Sequence, residues 1–361
     1  MPTRVIQWST GNVGYHALRC IIRHPELELA GLWVHSPDKV GRDAGELADL
    51  DPVGVAATND VDALLATDAD CVCYTATADL RPEEALQDIC RILAAGKNVV
   101  STSIVSLVHP RGGDQAVQQM VDRLEAACAE GDTTCFTSGI DPGFANDLLP
   151  ITLMGVCERV DEVRIQEILN YATYEQPEVL FHTMGFGQSL DDTPILLIPG
   201  VLGFAWGGAI RMMAEAVGAE VEEIREVYER ATLDRDIVLP YGTVEAGTQA
   251  GLRFEVQGIV GGQPRIICEH VTRMDDAVAP EWPSQGGGQG LYRILVKGSP
   301  SLDCKLEIES EDGDHNVGGL VVTAMKVLNA IPAVVAAKPG VLSAIDLPVI
   351  GGVGSMHEAR S

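Results

Sequence analysis

The chain has 361 residues, of which 46% are hydrophobic, and this is enough to build two domains with packed cores. Its 25 basic and 52 acidic residues give a formal net charge of −27, a field that disfavours binding to nucleic acid and to anionic membranes. The chain shows no secretory signal, no uninterrupted apolar run of membrane length and no C-x-x-C pair among its cysteines, so we expect a cytoplasmic protein without a membrane span or disulfides.

Strands and helices alternate over the first 145 residues. Short apolar strands are predicted at Val5–Trp8, Leu29–Val34, Cys71–Thr75, Asn98–Ser101 and Thr134–Thr137. The helices predicted between them are Tyr15–Arg23, Asp60–Ala66, Pro82–Ala95 and Ala116–Glu130. Such alternation is typical of parallel strands with right-handed crossovers. It predicts an α/β Rossmann domain with a doubly wound parallel sheet.

The pattern changes after Gly143. Strands are predicted at Val160–Tyr171, Arg253–Val260, Ile266–Thr272, Tyr292–Val296 and Lys305–Glu309. Helices are predicted at Ala209–Val217, Val221–Ala231 and Gly318–Ile331. We therefore expect residues 1–145 to form the dinucleotide-binding domain, completed by C-terminal helices in 316–361. Residues 146–315 would form an α+β domain on a mixed or antiparallel sheet, for substrate binding and dimerisation.

A glycine-containing loop lies between the first predicted strand and the first helix. It consists of Ser9, Thr10, Gly11, Asn12, Val13 and Gly14. In the dinucleotide pattern G-x-G-x-x-G, glycines let the backbone approach the pyrophosphate and let the helix pack on the strand, while N–H groups at the helix start hold the phosphates. Ser9 occupies the position of the first glycine of that pattern. The loop nevertheless predicts dinucleotide binding, with a structural turn as the alternative.

The tip of the second strand bears on the choice between NADP and NAD. Sites selective for NAD usually carry Asp or Glu here, to accept from the ribose 2′-hydroxyl. In this chain the tip carries Ser36, followed by Lys39 and Arg42, which suit a 2′-phosphate. We predict NADP, with NAD possible if Asp38 bends inward or if the two cations are only solvated loop charges.

Polar residues also follow the later strands, where ligands bind in doubly wound sheets. The residues predicted to contact the cofactor there are Thr75, Ala76, Thr77, Ser101, Thr102 and Gly143. The alternative for each of them is a capping or turn role.

Five segments, which follow one another along the chain, together resemble a known protein family. They are Val34–Gly45, Gly96–Thr102, Gly139–Phe144, Met184–Gly187 and Asn329–Pro332. Together they resemble the dihydrodipicolinate reductase-like oxidoreductases, and within them the branch of 2,4-diaminopentanoate dehydrogenase and native amine dehydrogenases. The resemblance implies a Rossmann domain completed by C-terminal helices and a homodimer formed through the second domain's sheet. It also implies reversible oxidative deamination, or reductive amination of a carbonyl compound, with NAD(P).

The chain departs from that resemblance in two ways. It has no His-His-rich motif with a nearby lysine, which true dihydrodipicolinate reductases use for their dicarboxylate substrate. The stretch from Ser101 to Pro110 contains no carboxylate, whereas the amine dehydrogenase branch carries an acidic residue there to engage the amine. Amine chemistry therefore needs a carboxylate from elsewhere.

Four residues are candidates for acid–base chemistry. Asp141, before Pro142 at the domain junction, can hold a substrate cation, or it can cap a helix that starts near Phe144. Tyr171, Glu175 and His182 fall where the resemblance implies a substrate-pocket wall; the alternative is core or interface packing. No zinc-like spacing of Cys and His occurs, so no metal site is expected.

Three functional hypotheses remain. The first is an NADP-dependent oxidoreductase that acts on a small imine, amine or carbonyl compound. The second is a catalytically silent NADP-binding redox sensor, which the missing carboxylate after Thr102 suggests. The third is a true dihydrodipicolinate reductase.

Overall fold

The computed structural model describes residues 2–78 and 81–356. Contacts divide the chain into two compact units. One contains residues 1–144 together with 320–361, and the other contains Ala145–Gly319. The predicted C-terminal segment therefore extends past the described residues, which end at Met356.

The first unit is built on a seven-stranded sheet. Its strands are β1 (Thr3–Trp8), β2 (Leu27–Trp33), β3 (Ala57–Thr58), β4 (Cys71–Tyr74), β5 (Asn98–Ser101), β6 (Thr134–Thr137) and, from the end of the chain, β15 (Gly340–Leu342). They lie in the order β15-β6-β5-β4-β1-β2-β3, and all neighbouring pairs are parallel. The predicted doubly wound parallel sheet is confirmed, with the edge strand β15 as an addition.

Helices follow the strands of this unit. They are α1 (Asn12–Arg23), α2 (Ala44–Leu47), α3 (Val61–Leu65), α4 (Pro82–Ala94) and α5 (Gln115–Gly131). Their starts follow from local chemistry, because Asp60 caps α3 at the Ala63 N–H and Asp114 caps α5 at the Val117 N–H. Pro82 occupies the first turn of α4, where its missing N–H costs nothing.

The second unit is built on a six-stranded mixed sheet. Its strands are β7 (Arg159–Asn170), β8 (Glu223–Thr232), β11 (Gln249–Val260), β12 (Gln263–Arg273), β13 (Gly290–Ser299) and β14 (Leu302–Leu306), and a separate hairpin is formed by β9 (Ile237–Leu239) and β10 (Gly242–Val244). The order is β14-β13-β7-β12-β11-β8, with only the β7–β12 pair parallel in this sheet. The predicted mixed or antiparallel sheet is confirmed.

One face of this sheet carries the core of the second unit. Side chains alternate between the two faces along each strand, so Val163 and Ile165 point to the same side as Phe254 on β11. The helices that complete the described chain are α6 (Leu148–Met154), α7 (Val201–Val217), α8 (His315–Leu328) and α9 (Ile331–Val335). Ile210 and Met213 of α7 join the same apolar cluster.

The helix predicted at Val221–Ala231 is wrong, because this segment forms strand β8. Its glutamate, arginine and alanine residues favour helices in isolation. The segment instead pairs antiparallel with β11 from Glu223 opposite Ile259 to Ala231 opposite Gly251. A row of backbone hydrogen bonds to a buried neighbour outweighs weak local preferences.

One helical stretch, His315–Val335, is long and apolar enough to cross a membrane by length and composition, although the sequence was expected to contain no such segment. In its most apolar window 39% of the residues are buried. A single stretch of this kind is weak evidence for a membrane span, because core helices have the same composition.

Candidate functional site

The loop between β1 and α1 leads directly into the N-terminus of a helix. Gly11 precedes the first turn of α1 and offers no side-chain cap to its N–H groups. That first turn contains no acidic residue. Because the N-terminus of a helix carries a partial positive charge and outward-pointing N–H groups, the loop fits a diphosphate. Ser9, the departure from the glycine pattern, takes the left-handed conformation that a glycine would normally supply, with φ of 84°.

Gly14 is required by close packing within this loop. A Cβ added to Gly14 would lie 2.4 Å from the Ser9 carbonyl oxygen and 2.8 Å from Thr75 Oγ1. These two atoms are themselves fixed, since the buried Gln7 donates from Nε2 to the Ser9 carbonyl at 2.9 Å and to Thr75 Oγ1 at 2.8 Å. Thr75 in turn donates to the Trp8 carbonyl. The sequence prediction missed Gln7, a polar residue buried in an apolar strand.

Lys39 lies against the loop. Its ammonium group donates to Thr10 Oγ1 at 3.0 Å and to the Thr10 carbonyl at 3.4 Å. Ser36 begins the short turn that carries Lys39, and its side chain makes no capping bond there. Arg42 is exposed just beyond the turn. The structure thus brings Lys39 to the loop, although the two segments are separated in sequence.

The polar residues after β4 and β5 have different environments. Ser101 is buried and its Oγ accepts from the Ser103 N–H, while the Thr102 N–H donates to the Tyr74 carbonyl. Ser103 in turn donates to the Ala76 carbonyl. Thr77 is exposed. These bonds hold the ends of the two strands side by side.

The next residue, Ile104, has a strained backbone. It takes φ of 57° and ψ of 67°, a left-handed conformation that is rare for a β-branched residue. This strain falls in the segment where the resembling branch carries its acidic residue. Strained backbone positions of this kind are concentrated at functional sites in proteins.

The turn after β6 is tightly closed. Ser138 donates to the Gly143 carbonyl at 3.1 Å, and a Cβ on Gly143, whose φ is 132°, would lie 2.1 Å from the Gly139 nitrogen. Asp141 is half-buried within this turn. The expected alternative, that Asp141 caps a helix near Phe144, is wrong: α6 begins at Leu148, and Asp147 caps it.

A row of polar and aromatic side chains crosses the sheet of the second unit. Glu167 on β7 lies opposite Tyr292 on β13 and opposite His270 on β12. The Tyr292 hydroxyl donates to Glu167 Oε2 at 2.9 Å, and the Tyr171 hydroxyl donates to Oε1 at 3.3 Å. Only 5% of Glu167 is exposed. Tyr171 also stacks on Tyr174, with ring centroids 4.7 Å apart.

Sequence reasoning identified Tyr171 and missed the rest of this row. The detectable pattern was the alternation along β7, in which Val163, Ile165 and Glu167 share one face. An acidic residue in that apolar register was the informative observation.

His270 sits among aromatic rings. Its imidazole stacks on Phe254 with centroids 4.5 Å apart and lies 4.6 Å from the Trp206 ring. The Asn146 amide nitrogen lies 3.4 Å from His270 Nε2. Within the described residues, the buried Asn146 amide oxygen has no hydrogen-bond partner. This end of the row therefore presents an unsatisfied acceptor.

The other predicted candidates of the second unit lie nearer the surface. Glu175 is exposed, and burial together with the charge of Glu175 raises the pKa of Tyr241 to about 12. His182 exposes 70% of its side chain, and its Nε2 lies 3.7 Å from a Glu178 oxygen.

The opposite face of the sheet carries an ion network. Arg164 contacts both Glu255 and Glu269 at 2.6 Å, and Arg253 and Gln166 also donate to Glu269. Burial favours a raised pKa for Glu269, but the hydrogen bonds from Gln166 and Arg164 and the two arginine charges outweigh it and lower that pKa. This face is polar and internally charge-paired.

Comparisons with known proteins agree with both units. Residues 144–360 match the 2,4-diaminopentanoate dehydrogenase C-terminal domain family. The chain is 42% identical over 359 residues to an amine dehydrogenase from Streptomyces virginiae, covering 99% of each chain. It is 28% identical to 2,4-diaminopentanoate dehydrogenase from Acetoanaerobium sticklandii, over 83% of this chain and 79% of the relative.

A solved structure shares the fold. The amine dehydrogenase from Mycobacterium smegmatis superposes with a TM-score of 0.77 at 19% identity and covers 97% of both chains. The family match and the 42% identity to an amine dehydrogenase confirm the resemblance inferred from the motifs. The chain belongs to the family of amine dehydrogenases and 2,4-diaminopentanoate dehydrogenases and is an oxidoreductase of that type.

Proposed function

We propose that the protein is an NADP-dependent amine dehydrogenase. It would interconvert a small carbonyl compound plus ammonia with the corresponding amine, through an imine. The observation that carries this proposal is the Ser9–Gly14 loop, whose uncapped helix start and tightly packed Gly14 fit a dinucleotide diphosphate, in a chain of the amine dehydrogenase family. The dinucleotide supplies or accepts the hydride, and the protein positions it and excludes water.

The residues proposed to hold the cofactor divide into three groups. The α1 N-terminus with Ser9–Gly14 would bind the diphosphate. Ser36, Lys39 and Arg42 would bind the 2′-phosphate. The residues proposed for the nicotinamide side are Thr75, Ala76, Thr77, Ser101, Thr102 and Gly143. For Thr75 the support is indirect. Its hydroxyl accepts a hydrogen bond from Gln7 and donates one to the Trp8 carbonyl, so it contributes to the conformation of the loop.

The preference for NADP rests on Lys39. Its position against Thr10 supports a cation beside the adenosine ribose, and charge-assisted bonds to phosphate are strong. We expect Lys39→Ala to weaken NADPH binding by about tenfold, as loss of one such bond predicts, and to leave NADH binding unchanged. Fluorescence titration of both cofactors measures this effect, with Lys305→Ala as the control. Equal losses for NADPH and NADH would contradict the assignment.

Several groups are proposed for acid–base work on the substrate. Tyr171 is the best supported, because its hydroxyl already contacts a buried carboxylate. Asp141 is proposed because it lies in the closed turn after β6. Glu175 and His182 are proposed only because the family resemblance implies them, and both side chains are exposed.

We also propose a cytoplasmic homodimer. The family resemblance implies contact through the second unit's sheet. Light scattering after size-exclusion chromatography should give twice the chain mass of 38.4 kDa.

Dependence on ammonium tests the proposed activity. NADPH is mixed with short aliphatic ketones and aldehydes, with and without ammonium chloride, and its absorbance is followed. We expect oxidation only when ammonium is present. Oxidation that is independent of ammonium would indicate carbonyl reduction instead, and no oxidation with any substrate would favour a silent cofactor-binding protein.

A further inference from the structure

The loop that follows β5 exposes one apolar side chain, that of Val105. We propose that Val105 determines substrate specificity by contacting the carbon chain of the carbonyl compound. This inference rests on the proposed amine dehydrogenase function and names its substrate class, which is aliphatic ketones and aldehydes whose chain carries no charge.

The first argument is the position of the loop. Ligands of doubly wound sheets bind outside the carboxyl ends of the strands. The loop begins at the carboxyl end of β5, which lies beside β4, and β4 lies beside β1 with its glycine-containing loop. The Ser103 hydroxyl donates to the Ala76 carbonyl and joins this loop to the one that follows β4. Val105 therefore lies at the edge of the sheet where ligands of this fold bind.

The second argument is the strained conformation in which the loop exposes Val105. Ile104, directly before it, has a left-handed backbone with φ of 57°, which is unfavourable for a β-branched residue. Val105 is 37% exposed, whereas every other residue from Ser103 to His109 is buried. Strain of this kind persists only when the surrounding structure enforces it. The loop thus holds one apolar side chain outward in a fixed conformation.

The third argument is that the far end of the loop is anchored. His109 is buried, and its Nδ1 lies 3.1 Å from the hydroxyl of the buried Ser343. Arg111 donates to Asp346 Oδ2 at 2.8 Å, and the Ser343 N–H donates to the same oxygen at 2.8 Å. These contacts join the loop to the last strand of the sheet and the turn after it. A contact surface that is already ordered loses little entropy when a ligand binds.

The fourth argument is that no charged residue neighbours Val105 in the loop sequence. The stretch from Ser101 to Pro110 contains no Asp, Glu, Lys or Arg, and its one histidine, His109, is buried. Arg111, the first cation beyond, forms an ion pair with Asp346. A charged substituent beside Val105 would lose its hydration without gaining an opposite charge from this stretch, whereas an alkyl chain would be stabilised by burial.

The test is a substrate series measured for wild-type protein and two variants. Acetone, 2-butanone, 2-pentanone and 2-hexanone are each supplied with ammonium and NADPH. We expect the wild-type kcat/KM to rise about fourfold for each added methylene that is buried. Val105→Thr keeps the branched shape and should lower kcat/KM for 2-hexanone about two- to fivefold. Val105→Asp should lower it about tenfold or more, because the alkyl chain would dock against a carboxylate that loses its hydration.

The matched control is Val349→Asp, which places a carboxylate at a fully exposed valine of the same unit. It should behave as wild type, and NADPH affinity from fluorescence titration should stay within about twofold in all variants. For wild-type protein, 4-oxopentanoate, whose chain ends in a carboxylate, should be a poorer substrate than 2-hexanone. A wild-type preference for 4-oxopentanoate, or a chain-length series that Val105→Asp leaves unchanged, would overturn the inference.

Binding is measured separately from turnover. Saturation-transfer NMR of 2-hexanone with the protein and oxidised NADP reports whether the terminal methyl protons contact the protein. We expect strong transfer to them with wild type and Val349→Asp, and weaker transfer with Val105→Asp. If wild-type protein binds the ketone without ammonium-dependent turnover, the proposed function fails while this comparison still tests Val105. Equal transfer in all three proteins, or none with wild type, would overturn the role of Val105.

Discussion

Replacing Gly14 with valine is expected to abolish cofactor binding. The new Cβ would lie 2.4 Å from the Ser9 carbonyl oxygen, a backbone atom that Gln7 also fixes by a hydrogen bond. The loop or the start of α1 must therefore move, and overpacking of this kind costs about 1–3 kcal/mol. Because each 1.4 kcal/mol is a factor of ten, we expect NADPH affinity to fall about 100-fold or more when displaced N–H groups are included.

The matched control for this variant is Gly319→Ala. A Cβ at Gly319 meets nothing within 4 Å, and alanine favours the helix in which this residue lies. Calorimetric titration with NADPH should separate the two variants, with Gly319→Ala behaving as wild type. Tight NADPH binding by Gly14→Val would mean that this loop does not hold the diphosphate.

Removal of Glu269 is expected to have the largest effect on stability. The Glu269 carboxylate accepts hydrogen bonds from Arg164, Arg253 and Gln166 on the polar face of the second sheet. Glu269 is almost completely buried. Breaking a buried ion pair by deleting one partner leaves charge uncompensated and costs about 3–5 kcal/mol. We expect Glu269→Ala to lower the free energy of unfolding in urea by about this amount. Asp303→Asn, which alters an exposed pair with Arg293, should leave the unfolding midpoint unchanged.

The same carboxylate predicts a dependence of stability on pH. The pKa of Glu269 is lowered in the folded protein, so the unfolded chain takes up the proton first as the pH falls. Its contribution is complete above the ordinary glutamate pKa of about 4.3 and is lost as the pH falls through the lower folded value. The stability difference between wild type and Glu269→Ala should therefore shrink in acid. A difference that stays constant down to low pH would contradict the network as its source.

Local chemistry predicted the first unit well and the second unit less well. In the first unit, the predicted strand Asn98–Ser101 matches β5, and Pro82 marks the start of α4. Both depend on residues within a few positions of each other. In the second unit, β8 was misread as a helix because its conformation is set by pairing with β11, about 25 residues farther along the chain.

The same distinction applies to the site. The Ser9–Gly14 loop is contiguous, so its residues predict its chemistry. Glu167, Tyr292 and His270 come together only through the strand register of β7, β12 and β13, which no local pattern specifies. The sequence offered Asp141 and Glu175 as replacements for the carboxylate that is missing after Thr102, and it did not choose between them.

The most direct test of the central proposal follows the atoms of one turnover. A short aliphatic ketone is incubated with the protein, ¹⁵N-ammonium and NADPH that carries deuterium at the transferable position of its nicotinamide. The masses of the products are then measured by mass spectrometry. The amine should carry both one ¹⁵N and one deuterium. A deuterated alcohol without ¹⁵N, or unchanged ketone, would contradict the assignment of this protein as an amine dehydrogenase.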